Sequence, residues 1–130
     1  MATRCTVNFY NIGSGSYDSI YGHMDGYLSH TGYVLLNCYN TEESVKKLIS
    51  MGDFSVLRYT LEESTFYHRD RSEDYYLTRS ASYSTLAEIP LQNYNYVFNG
   101  VSWFYFKEGY ISLKPLTMSD VKEYMHESRK

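Results

Sequence analysis

Cysteine and proline are both scarce, with two of each in 130 residues. Cys5 and Cys38 are too few for a disulfide framework and stand in no metal-binding spacing. Free thiols acting as small buried hydrophobes are therefore expected. A basic surplus is also lacking: the net charge is −3 and the pI about 5.8. That leaves too little positive charge to displace the counterions of duplex nucleic acid. No apolar run approaches the roughly 20 residues needed to span a bilayer, and Met-Ala-Thr-Arg-Cys-Thr at the start lacks the apolar stretch of a signal peptide. No repeat and no linker divides the chain, so residues 1–130 read as a single cytoplasmic domain with a core of its own.

Tyrosine is what the chain has in excess: sixteen, beside six Phe and one Trp. Such rings bury apolar area while their hydroxyls reach water, which suits the margins of a β-rich core and equally suits a contact surface.

Local patterns set out an α+β domain, an antiparallel sheet with two to three helices packed on one face. Thr3 to Tyr10 reads as a strand, Gly13-Ser-Gly-Ser16 as a turn and Tyr17 to His23 as the returning strand of a hairpin. Between Ser29 and Asn40, Leu35, Leu36 and Tyr39 suggest a short helix weakened by Gly32. Thr41 caps a clearer helix in which Val45, Leu48 and Ile49 form the apolar stripe and Gly52 the stop. Asp53 to Leu57 is a loop or short strand, and Tyr76 to Tyr83 a weak polar strand. After Pro90, Tyr94, Tyr96 and Phe98 alternate with polar or smaller residues. Asn99-Gly100 then predicts a two-residue hairpin turn into Val101 to Phe106, with Tyr110 to Leu113 completing a C-terminal meander. Thr117 or Ser119 caps a final helix bearing Val121, Tyr124 and Met125.

Two segments concentrate the chemistry. In Tyr21-Gly-His-Met-Asp-Gly-Tyr27, strand alternation would put Tyr21, His23 and Asp25 on one face, with Gly26 taking the positive φ of a turn and Tyr27 beyond it. In Tyr67-His-Arg-Asp-Arg-Ser-Glu73, His68 and Asp70 repeat the His-x-Asp pattern. Arg69, Asp70, Arg71 and Glu73 form a mixed-sign run, either a solvated turn or a bidentate site for an anion. The binding residues expected from these segments are Tyr21, His23, Asp25, Tyr27, Tyr67, Arg69, Asp70, Arg71 and Glu73. Two His-x-Asp pairs brought side by side would offer four ligands to a hydrolytic divalent metal. The spacing matches no firm metal signature, however, so no catalytic residue, metal or cofactor is assigned. No phosphate-binding glycine loop or nucleophile elbow is present.

The ordered series Tyr21-x-His-x-Asp-Gly-Tyr27, Gly32-x-x-Leu35, Gly52-Asp-x-Ser55, Tyr67-x-Arg-Asp-Arg-x-Glu73 and an aromatic strand pair around Trp103 covers most of the chain. It resembles small proteins encoded by phages and prophages, whose pattern has Pro and Gly where Leu28 and Ser72 stand here. The resemblance implies a viral origin and a binding role in the host cytoplasm: inhibition of a host process, such as a bacterial defence system in the manner of an anti-CRISPR, by binding a host protein complex. Tyr and Arg are the residue types of interface hot spots, so the Tyr67-to-Tyr76 loop and the exposed edge of the aromatic meander are the expected contact surfaces. The alternative is a small nucleotide signal, bound or hydrolysed with metal assistance, with Tyr21, Tyr27 or Tyr67 stacking a base and Arg69 and Arg71 holding phosphate. A homodimer is compatible with either.

Overall fold

A computed structural model describes residues 2–109 and 111–128, with side chains up to residue 124. The N-terminal hairpin forms as expected: β1 (Cys5–Asn11) and β2 (Ser16–Gly22) pair antiparallel in unbroken register from Cys5–Gly22 to Asn11–Ser16. The chain then makes a π-helical turn at Leu28–Gly32, continues into α1 (Tyr33–Cys38), and enters α2 (Glu42–Ser50). Thr41 caps α2 as its sequence predicts. Its hydroxyl accepts from Ser44 N at 3.1 Å, and the Ser44 hydroxyl accepts from Thr41 N in return. Gly52, at φ +80°, ends the element in a left-handed conformation that only glycine adopts without strain.

Short strands β3 (Phe54–Val56) and β4 (Thr65–Phe66) follow. The polar stretch expected to be a turn contains two short helices, α3 (Tyr67–Arg71) and α4 (Tyr75–Thr78). The strand expected over Tyr76 to Tyr83 shrinks to β5 (Ala81–Tyr83), because Asp74 caps Tyr76 N at 2.8 Å and turns the first half helical. In the meander, β6 (Tyr94–Phe98) pairs with β7 (Trp103–Lys107), Phe98 opposite Trp103. The connecting turn therefore has four residues rather than two. The Asn99 carboxamide accepts from Val101 N and Ser102 N and so stabilises the wider turn. The third meander strand is β8 (Lys114–Pro115), later than expected, and Tyr110 lies outside the described residues. α5 (Met118–Ser128) follows, with Thr117 accepting from Asp120 N.

The class is α+β as expected, and the sheet is open and mixed, in the order β4-β3-β2-β1-β6-β7-β8 with β5 also on β2. The hairpin and meander are antiparallel internally. They join through a parallel β1–β6 pair, and β2 meets β3 in parallel at Gly22. Alternation sends Cys5, Val7, Phe9, Ile20, Tyr96, Phe98, Trp103 and Tyr105 to one face. There they form the core with Val34 and Leu35 of α1, Val45, Leu48 and Ile49 of α2, and Val121 of α5. Two polar contacts fix this layer: Trp103 Nε1 donates to Tyr39 O, and Tyr96 Oη to Gly26 O, each at 2.7 Å. The opposite face carries a buried polar set in which Asn8 Nδ2 donates to Thr6 Oγ1 and Thr6 Oγ1 to Asn95 Oδ1. Gln92 clasps the Asn95 carboxamide through both its backbone N–H and its carbonyl.

Candidate functional site

β2 ends where its partners leave no room for a side chain. A Cβ on Gly22 would lie 2.4 Å from Phe54 Cζ and 2.7 Å from Cys5 Sγ. Beyond Gly22 the backbone follows β3, His23 N donating to Phe54 O and Met24 N to Ser55 O. Tyr21 and His23 stay together as alternation predicts, with Tyr21 Oη 2.8 Å from His23 Nδ1.

Asp25 does not join them. It takes the left-handed conformation itself, φ +56°, and its carbonyl is fixed by Thr31 N and Thr31 Oγ1, so strand alternation stops before it. Gly26 has no positive φ and is needed for a different reason: a Cβ there would lie 2.7 Å from Cys5 Cβ. Tyr27 continues away from Tyr21 and stacks on Tyr124 of α5, centroids 5.7 Å apart. Burial, and then the nearby Asp25 charge, push its phenol pKa up.

The second segment divides as well. Arg69 is used within its own turn, its Nε and Nη2 gripping the Asp70 carboxylate at 3.0 and 2.9 Å while Nη2 also reaches Ser64 O. That grip, helped by the Phe66 N–H, holds the Asp70 carboxyl below its ordinary value. His68 Nδ1 lies 2.8 Å from Glu73 O, so this nitrogen carries the proton and ties down the α3–α4 turn. The two His-x-Asp pairs thus form no joint site, and among the described residues no three His, Cys, Asp or Glu side chains converge as metal ligands. The residues do not support the metal-assisted alternative.

Arg71 is different. Its guanidinium lies over the Tyr67 ring, 5.3 Å from the centroid, and reaches Ser55 Oγ at 3.5 Å, with no carboxylate partner among the described residues. Tyr67 N donates to Asp53 O, which brings this ring beside β3. Of the nine expected site residues, Tyr21, His23, Tyr67 and Arg71 therefore gather around the β2–β3–β4 corner. Tyr27 stacks on α5 and Asp25 is tied to Thr31, while Arg69 and Asp70 brace the β4–α3 junction and Glu73 the α3–α4 turn.

Beside this corner stands a ridge that the expected Tyr67-to-Tyr76 contact loop takes in only in part. On α4, Tyr76 and Leu77 are 75% and 81% exposed and Tyr75 47%. The Arg79 guanidinium lies 5.4 Å from the centroid of the Tyr76 ring. Leu77 is the part that the sequence does not show, because the chain from Tyr76 onward reads as a strand, in which alternate residues would be buried.

A second missed feature is Asp53. The outer edge of β2 is shared by two strands: β5 pairs along Tyr17–Ser19 and β3 only at Gly22. In the gap Asp53 Oδ1 accepts the Tyr21 N–H at 2.8 Å, taking the place of a strand carbonyl, while Asp53 N donates to Thr78 O. A cleft of about 310 Å³ opens at this split, lined by Ser19, Tyr21, Asp53, Arg79, Tyr83 and Gln92 among others. Partial burial pushes the Asp53 pKa up to about 6, against a smaller lowering by the Tyr21 N–H. A carboxylate placed directly between a helix-ending glycine and an apolar strand was the available signal.

No protein-family model, curated protein or solved structure matches the chain. Among the described residues no helix is long and apolar enough to cross a membrane.

Proposed function

We propose that the protein acts by binding: the α4 ridge and the adjoining Arg71 and Arg79 engage a host protein complex and block its action in the host cytoplasm. The observation that carries this reading is the consecutive exposed run Tyr75-Tyr76-Leu77, flanked by two arginines that have no carboxylate partner among the described residues. Large apolar side chains held on a capped helical turn are already ordered before contact, and aromatic residues with Arg are the types that dominate interface energies. The resemblance to phage-encoded proteins makes a bacterial defence complex, an RNA-guided effector included, the class of target.

The test is phage plaquing on bacteria with an active RNA-guided defence, with and without the expressed protein. Efficiency of plaquing should rise by about two orders of magnitude or more, as saturating blockade of an effector requires. Tyr75→Ala/Tyr76→Ala should abolish that rise while the protein stays folded. A wild-type protein that leaves plaquing unchanged against such systems, or a ridge variant that works as well, would overturn the reading.

A further inference from the structure

The cleft at the split edge of β2 contains polar groups that the fold itself leaves unused. Asp53 Oδ1 is engaged by Tyr21 N, but among the described residues Oδ2 receives no hydrogen bond. Gln92 gives its side-chain N–H to Pro90 O at 3.2 Å, and its carboxamide oxygen receives no hydrogen bond among the described residues. Arg79 lines the same cleft, held over Tyr76 and paired with no carboxylate among the described residues. Tyr21 and Tyr83 supply aromatic lining.

An occupant must therefore present N–H donors to a carboxylate, offer a flat surface to tyrosine rings and carry an anionic group for a guanidinium. We propose that the cleft binds a guanine nucleotide. Guanine presents a ring N–H next to an exocyclic amino group, a donor pair matched to a carboxylate. Adenine places a ring acceptor beside its amino group, which would face Asp53 with like polarity. The 5′-phosphate falls to Arg79, and the cleft has room for a base with its sugar. Neither Arg69, committed to Asp70, nor Asp25 lines the cleft. The cleft is a different surface from the partner-binding ridge, with which it shares Arg79.

Isothermal titration of the full chain with GMP, AMP, guanosine and inorganic phosphate tests it. GMP should bind and AMP should bind at least about tenfold more weakly, the discrimination expected when a buried donor pair is lost. Asp53→Asn keeps an acceptor for Tyr21 N–H, so the fold is retained, and should weaken GMP by about tenfold or more. Arg79→Ala should erase the preference for GMP over guanosine. Absence of GMP binding up to about 5 mM, equal binding of AMP, or phosphate binding as tightly as GMP would each overturn the proposal. Tyr75→Ala alone, which leaves Tyr76 and Arg79 in place, should bind GMP normally while weakening the ridge contact, and this separates failure of this site from failure of the ridge.

Discussion

The Asp53 carboxyl stands where a strand carbonyl would otherwise meet Tyr21 N–H, and its partial burial has a cost that depends on pH. The folded protein holds the Asp53 proton up to about pH 6, whereas the ordinary value is 3.8. Between those values the folded state binds more protons than the unfolded one, so this group lowers stability as pH rises from 4 to 6 and has no further effect above. Asp53→Asn removes the ionisation while keeping the acceptor. It should raise the urea midpoint at pH 7.5 by on the order of 1 kcal/mol, after discounting for solvent screening, and flatten the profile between pH 4 and 6. Gly22 is a residue-scale constraint of another kind. The Phe54 ring and the Cys5 sulfur occupy the space of any Cβ, so Gly22→Ala forces two core side chains apart. A loss of about 3 kcal/mol, read by urea denaturation, is expected.

Among the elements, α2 shows how far local chemistry alone can specify structure. Its reciprocal Thr41–Ser44 cap satisfies two N–H groups, and Thr41→Ala should cost about 1 kcal/mol in thermal or urea unfolding. α4 has the opposite character. Four residues cannot hold a helix by themselves, so Asp74 at its start and the Asp53–Thr78 contact at its end keep the ridge in place. Because Tyr76 is exposed, Tyr76→Ala should change stability by less than about 0.5 kcal/mol while weakening the partner contact. Parallel measurement of urea midpoint and plaquing separates the two effects. A comparable loss in both would make Tyr76 a structural residue.

Across the whole molecule, the parallel β1–β6 pair joins segments 89 apart in sequence, as in the Thr6–Asn95 hydrogen bond, and places β1 inside the sheet. Cys5 on that strand is fully buried, and desolvation pushes its thiol up to about 12. Alkylation at pH 8 should therefore modify Cys38, which is partly exposed, well before Cys5. Cys5 should react only through global opening, its rate rising with urea at the slope of overall unfolding. Early reaction of Cys5, read by mass spectrometry of the labelled peptides, would mean that the β1–β2 edge opens by itself.

The sequence determined what depends on near neighbours. Alternating aromatics marked β6 and β7, Thr41 and Gly52 marked the two ends of α2, and Gly13-Ser-Gly-Ser16 marked the hairpin, because φ preferences and caps act over a few residues. Tyr21 and His23 came out together for the same reason. Only the tertiary structure decided the rest. Pairing of β1 with β6 and the shared edge of β2 follow from side-chain packing across the sheet, which no local period encodes. The same packing set Asp53 against Tyr21, 32 residues earlier, and left Asp53 and Arg79 facing one cleft. A residue's availability for binding depends on which other groups have already engaged it, and that is settled by contacts distant in sequence.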